Sequence, residues 1–188
     1  MRRLTLTICI AALALGACSK RDSSRTESAR SDSAVVASGH SNRSVIVREA
    51  GIRFDPPSTW PPARYRVDTD SGDGASGHPA DAAYAVTLFY VPRDARMREE
   101  PLCRFLVFTR EQWDRIQAED GPPVGTTIEE LDAWMYVAQL PQANPYAMNS
   151  ADAEQFDAMR LAIRDVRARF SVEGGGPDPA AAREAGDL

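Results

Sequence analysis

Apolar positions along the middle of this chain follow two periods, which predicts both strands and helices. Between residues 45 and 172, short runs rich in β-branched and aromatic side chains recur, separated by glycine- and proline-rich turns. Such runs are typical of strands that bury at least one face. The predicted strands are residues 45–47, 52–54, 65–67, 83–91, 102–108, 126–128 and 133–140.

Two segments have the helical period instead. Thr109 with Gln112 forms a capping box before a short helix, and Asn149 or Ser150 is expected to cap a final helix that runs to about Phe170. This order of elements predicts an α+β fold, with a largely antiparallel sheet packed by the short helix and the long C-terminal helix. The final helix is expected to bury one apolar stripe, namely Phe156, Met159, Ile163, Val166 and Phe170.

Both flanks of this body lack large apolar side chains. Residues 18–44 are dominated by serine, arginine, aspartate and alanine, a composition that predicts a disordered tether. Residues 173–188, in which three glycines and a proline follow Glu173, are expected to form a disordered tail. Residues 45–172 are therefore predicted to form a single α+β domain.

The first 17 residues have the layout of a secretory signal peptide. Two arginines precede an apolar run of roughly 12 residues, shorter than the about 20 that a membrane-spanning helix needs. The run ends on Leu15-Gly16-Ala17-Cys18, which resembles the lipobox of bacterial lipoproteins. The resemblance implies cleavage before Cys18 and lipidation of Cys18, which would anchor the chain to a membrane. The alternative is an ordinary signal peptide with a chance cysteine.

The location implied by this resemblance is the bacterial cell envelope. Ser19 follows Cys18, where an aspartate commonly retains lipoproteins in the inner membrane. In a Gram-negative host, the expected position is therefore the outer membrane, facing the periplasm. The net charge of -5 lacks the basic surplus of a nucleic-acid binder, and we exclude that class. Cys103 would have no partner in the processed chain, so it is expected to be a buried small hydrophobic residue.

Residues that could support catalysis or hold a metal are few. His40 lies in the tether and His78 in a glycine-rich loop, so neither is expected on a rigid element. Glu129 and Glu130, if extended, would point to opposite faces of a sheet. Asp68–Asp73 offers oxygen ligands, but its glycines depart from the EF-hand spacing, which favours a polar turn. We therefore predict no catalytic residue, cofactor or metal ion.

Three aromatic residues in or beside proline-rich loops allow two interpretations. Trp60, Tyr65 and Tyr146 could form an exposed contact surface, since aromatic side chains on stiff backbones bind partners well. The more usual explanation is that such aromatics are buried and seal the ends of the sheet. The first interpretation makes them the candidate surface for a protein partner, and the second makes them part of the core.

The body also resembles known exported proteins. The stretches Gly51 to Trp60, Tyr65 to Val67 and Leu140 to Tyr146 look like an uncharacterised group of bacterial exported proteins. The layout of the elements is similar to the PsbP-like α/β/α sandwich. Proteins with that fold bind other proteins, so the resemblance implies a binding scaffold and carries over no active-site residue.

These observations favour a membrane-anchored envelope lipoprotein whose domain is not an enzyme and binds another protein or supports envelope structure. Two alternatives stay open. The domain could be an inhibitor or immunity protein against an envelope-targeted hydrolase. It could also be a weak metal-dependent enzyme that uses the Asp68–Asp73 segment.

Overall fold

The computed structural model describes residues 44–71, 82–131 and 133–177, which form an α+β fold as predicted. All strand pairs within these residues are antiparallel. The strands are β1 (Val45–Val47), β2 (Ile52–Phe54), β3 (Tyr65–Ser71), β4 (Tyr84–Tyr90), β5 (Glu100–Thr109), β6 (Thr126–Glu130), β7 (Trp134–Gln139) and β8 (Phe170–Val172). The helices are α1 (Arg110–Ala118), α2 (Ala151–Met159) and α3 (Ile163–Arg167), with a 3₁₀ turn at Pro62–Arg64.

Two sheets organise these strands. The central sheet has the order β3-β4-β5-β7-β6, and a smaller sheet has the order β1-β2-β8. Because side chains alternate along a strand, β5 sends Phe105 and Val107 to one face and Leu106 and Phe108 to the other. All four side chains are buried, so both faces of the central sheet are covered at β5.

The two faces carry cores of different size. The larger core joins one face of the central sheet to α2, α3 and the small sheet. On the other face, Leu106, Phe108 and their neighbours pack against Trp113 and Ile116 of α1. The capping box predicted for α1 is confirmed, because the Gln112 amide donates to Thr109 Oγ1 at 3.1 Å and the Thr109 amide donates to Gln112 Oε1 at 2.8 Å.

The long C-terminal helix predicted for residues 150–170 is wrong. The helix begins at the predicted cap Ser150 but ends at Met159, and Arg160 is extended, with φ −65° and ψ 142°. After α3, Phe170 enters β8, where it pairs with Phe54 in the small sheet. Pairing in this sheet overrides the local helical pattern. The stripe nevertheless faces the core: Phe156, Met159 and Val166 are buried, and Ile163 and Phe170 are partly buried against it.

The segment after the small sheet continues to pack, which corrects the start predicted for the disordered tail. The Glu173 amide donates to the Gly51 carbonyl oxygen at 3.0 Å, extending the contacts of β8 by one residue. Gly176 lies close to the Trp134 ring, and Pro177 is buried. Packed structure therefore continues past residue 172 as far as Pro177, the last residue that the structure describes.

Candidate functional site

A cleft of about 320 Å³ opens where β5 and β7 separate. Their pairing ends at Arg104 opposite Gln139. Beyond that pair, β5 extends back to Glu100, whereas the chain leaves β7 along residues 140–145. The cleft lies between these two diverging segments, and Phe156 of α2 contributes to its lining.

Prolines and an asparagine shape the wall formed by residues 140–145. Pro141 and Pro145 line the cleft and have no backbone N–H, so they cannot extend the ladder of β7. The Asn144 side chain donates from Nδ2 to the carbonyl oxygen of Ala153 in α2 at 2.8 Å. Its Oδ1 accepts the Tyr146 amide at 3.0 Å. The first bond attaches this wall to α2, and the second fixes the turn of the chain between Asn144 and Tyr146.

The opposite wall is an irregular part of β5. Its register with β4 moves from Cys103 opposite Leu88 to Pro101 opposite Phe89, which makes Leu102 the extra residue of a β-bulge. Pro101 lines the cleft and offers no N–H to a further strand. Bulges and prolines are features that protect strand edges against pairing. We therefore expect this cleft to recognise side chains rather than to accept an added strand.

Arg104 contributes to the lining of the cleft, and its side chain reaches towards β4. It stands opposite Thr87 on β4 and opposite Gln139 on β7, so the three side chains share one face of the sheet. The guanidinium donates from Nε to the hydroxyl oxygen of Thr87 at 3.1 Å, and Thr87 is itself buried. Within residues 44–71, 82–131 and 133–177, no carboxylate forms an ion pair with Arg104.

The other polar side chains of the cleft belong to Gln139, Glu100 and Gln142. Gln139 donates from Nε2 to the carbonyl oxygen of Val124 at 2.5 Å. Glu100 has Oε1 at 3.8 Å from the Arg98 Nε. The remaining lining is largely proline, leucine and alanine.

The proposed aromatic contact surface is wrong for Trp60 and Tyr146. Trp60 is 1% exposed and Tyr146 is 6% exposed, whereas Tyr65 is partly buried with its ring 5.6 Å from that of Trp60. The Tyr146 ring packs edge-on against Tyr90 at 5.4 Å. Burial raises the pKa of Tyr146 to about 12. The alternative, in which buried aromatics belong to the core, describes this structure.

Cys103 is buried and free, as predicted. Burial raises the pKa of its thiol well above the ordinary value, so the thiolate that a nucleophile needs is disfavoured. The anchor residue Cys18 and both histidines, His40 and His78, lie outside the described residues. Their predicted roles stay predictions.

The segment Asp68–Asp73, predicted to be a polar turn, begins as part of a strand. Asp68 and Asp70 lie in β3. Asp68 forms an ion pair with Arg66, with Oδ2 3.3 Å from Nη1. Asp73 lies outside the described residues. Glu129 stands opposite Tyr136, and the next residue opposite Met135. Tyr136 and Met135 belong to different cores, so the two adjacent glutamates face opposite sides, as predicted. Within the part of the chain that the structure describes, no three His, Cys, Asp or Glu side chains could hold a metal ion.

Arg104 was not predicted as a functional residue, although the sequence contains a signal. It is the single charged residue in the otherwise apolar run of residues 102–108. An arginine in such a run is unusual, because a charge in a central strand is costly unless it finds a partner or solvent. Its value as a site depends on the cleft beside it, which the run does not indicate.

Comparison with known proteins gives no identity for this fold and cleft. No protein family, curated protein or solved structure matches the chain. Among the described helices, none is long and apolar enough to cross a membrane.

Proposed function

We propose that the chain is an exported lipoprotein, anchored through Cys18, whose α+β domain binds a protein partner in the cleft between β5 and residues 140–145. The domain acts as a binding module without catalysis. In a Gram-negative host it stands on the outer membrane and faces the periplasm. The observation that carries the binding proposal is the cleft itself, a concavity of about 320 Å³ between β5 and residues 140–145 with largely apolar walls.

The anchor is supported by the sequence around Cys18. Bacterial lipoproteins carry several acyl chains, each contributing about 0.8 kcal/mol per buried methylene, and two or more chains give a stable anchor. The tether predicted from the composition of residues 18–44, which lie almost entirely outside the described residues, would let the domain stand roughly 25 to 30 Å from the membrane. A binding module on such a tether can search for a partner without leaving the envelope.

The Cys18→Ser substitution tests the anchor. It removes the sulfur to which lipid is attached, so we expect incorporation of radioactive fatty acid to disappear and lipoprotein processing to stop. Labelling of the precursor and the mature form in cells measures both effects. Undiminished labelling of the variant would show that the lipid is attached elsewhere, and absence of labelling in the native chain would show that it is not a lipoprotein.

The PsbP-like arrangement belongs to the same proposal. Its support is the central antiparallel sheet, with α1 packed on one face and α2 with α3 on the other. Scaffolds of this kind present loops at the ends of the sheet, and the cleft lies at one such end. The scaffold therefore offers a rigid site on which a partner side chain can be recognised.

Filling the cleft tests the binding proposal. Ala143 is exposed and lines the cleft, so Ala143→Trp should occupy the site at little cost in folding. We expect affinity capture from crosslinked envelope extracts to lose the partner recovered with the native chain. The measurement is the amount of that partner recovered with each variant, at equal amounts of bait.

Ala147→Trp is the matched control. Ala147 is exposed in the same loop but does not line the cleft, so the same change should leave capture intact. Thermal unfolding of both variants checks that neither loses its fold. Equal capture by the native chain and the Ala143→Trp variant would place the partner surface elsewhere on the domain.

A further inference from the structure

We infer that residues 174–177 form a strap that opens while the rest of the fold stays intact, and that its opening uncovers Trp134 and the Tyr136 hydroxyl. The strap follows β8 and passes over the end of the larger core, where Gly176 lies beside both aromatic side chains. Three features support this opening: a buried hydroxyl that the closed strap leaves unpaired, the glycine backbone of the strap, and the few bonds that hold it.

The Tyr136 hydroxyl ends between the β1–β2 turn and the strap. A Cβ built on Gly51 would lie 3.0 Å from Tyr136 Oη, and one built on Gly176 would lie 3.2 Å from it. Of the buried side-chain polar atoms in residues 44–71, 82–131 and 133–177, only this hydroxyl has no hydrogen-bond partner. A hydroxyl that gives up its bonds to water without a replacement destabilises the state that buries it. Closure of the strap therefore has a cost that water removes when the strap opens.

The backbone of the strap also favours opening. Gly174, Gly175 and Gly176 have φ values of +68°, +85° and +100°. A Cβ built on either of the first two would meet no atom within 4 Å. Glycine loses more conformational freedom than any other residue when its backbone is fixed. Holding three consecutive glycines in one conformation is therefore costly in entropy.

Few contacts hold the strap closed. The Gly176 amide donates to the Glu173 carbonyl oxygen at 3.4 Å, which is longer than the about 2.9 to 3.0 Å of a typical bond. Pro177 is buried and Gly176 lies against the Trp134 ring, so closure does gain apolar contact. The Glu173 amide is bonded to the small sheet at 3.0 Å and marks the fixed end of the strap. We expect the chain to turn at the glycines that follow it.

Opening changes the surface that the domain presents. In the closed form Trp134 is 3% exposed and Tyr136 is fully buried. When the strap moves away, parts of both rings and the Tyr136 hydroxyl become accessible beside the β1–β2 turn. The position of the strap therefore controls access to an aromatic surface that the closed form hides.

Exchange of the Trp134 indole hydrogen with solvent deuterium tests the strap. It is followed by NMR in the isotope-labelled full chain in detergent, at urea concentrations too low to unfold the domain, and Trp134→Phe assigns the signal. Opening of the strap exposes little surface, so we expect exchange almost independent of urea and at least about tenfold faster than global unfolding allows. Exchange that accelerates with urea as steeply as the equilibrium unfolding of the domain would overturn the inference.

Two substitutions should shift the strap in opposite directions. Tyr136→Phe removes the unpaired hydroxyl, so Trp134 exchange should slow at least about fivefold. Gly175→Ala places a side chain at φ +85°, a strain that opening relieves, so exchange should accelerate at least about fivefold. Gly121→Ala is the matched control, because a Cβ there also meets no atom within 4 Å and Gly121 lies outside the strap. Faster exchange in Tyr136→Phe, or unchanged exchange in both strap variants, would equally contradict the inference.

Discussion

Replacement of Phe156 by alanine is expected to lower the free energy of unfolding by about 3 to 5 kcal/mol. Phe156 is fully buried, and its ring meets the Tyr90 ring edge-on at 5.6 Å with an interplanar angle of 84°. It also lies 5.5 Å from the Tyr146 ring. The truncation removes both aromatic contacts and leaves a cavity that the surrounding sheet and helix can close only in part.

Equilibrium unfolding in urea, followed by circular dichroism and tryptophan fluorescence, measures this loss. Met148→Ala is the control, because Met148 is 90% exposed and its truncation should change the free energy of unfolding by less than about 0.5 kcal/mol. A loss below about 0.5 kcal/mol for Phe156→Ala would show that this side chain does not face the core.

The strands could be predicted because their side chains carry the signal themselves. In β5 the run of residues 102–108 is apolar on both faces, which is typical of a strand covered on both sides, and the structure places a core on each. Thr109 and Gln112 likewise specify the start of α1 through bonds within four residues. Local patterns of this kind depend little on the rest of the fold.

The C-terminal half shows where local patterns stop being sufficient. Residues 160–162 contain no proline or glycine, yet the chain is extended at Arg160 and Ala162. The Arg160 side chain donates to the carbonyl oxygen of Pro141 at 3.3 Å, and Phe170 joins the small sheet beside Phe54. These contacts join residues far apart in the chain. The apolar period therefore predicted which side chains face the core, but not the break in the helix.

The candidate site could be predicted even less, because it is formed by the divergence of two strands. The position of Arg104 in an apolar run is visible in the sequence, whereas the end of β7 beside it is not. The aromatic residues in the loops suggested a contact surface that the structure does not have, because their burial is not visible in the sequence. Trp60 and Tyr146 lie near prolines, as binding residues often do, but both are buried in the larger core. Burial of a loop residue depends on which element packs over it.

Gly51→Ala is expected to cost about 2 to 5 kcal/mol of unfolding free energy, of which about 1 to 2 is backbone strain and about 1 to 3 is overpacking. Gly51 lies in the turn between β1 and β2 with φ +60°, a conformation that side chains disfavour. A Cβ there would lie 2.7 Å from Gly176 Cα and 3.0 Å from Tyr136 Oη. Urea denaturation of the purified full chain measures the loss.

Gly174→Ala separates the two causes. Gly174 has a similar φ of +68°, but a Cβ there would meet no atom within 4 Å, so only the strain of about 1 to 2 kcal/mol is expected. Deleting residues 173–188 gives a second comparison, because it removes Gly176 from above Gly51. In that background, Gly51→Ala should cost less, because only the strain and the contact with Tyr136 Oη remain, and the difference measures the contact with the deleted segment. An unchanged cost after the deletion would show that Gly176 does not constrain this turn.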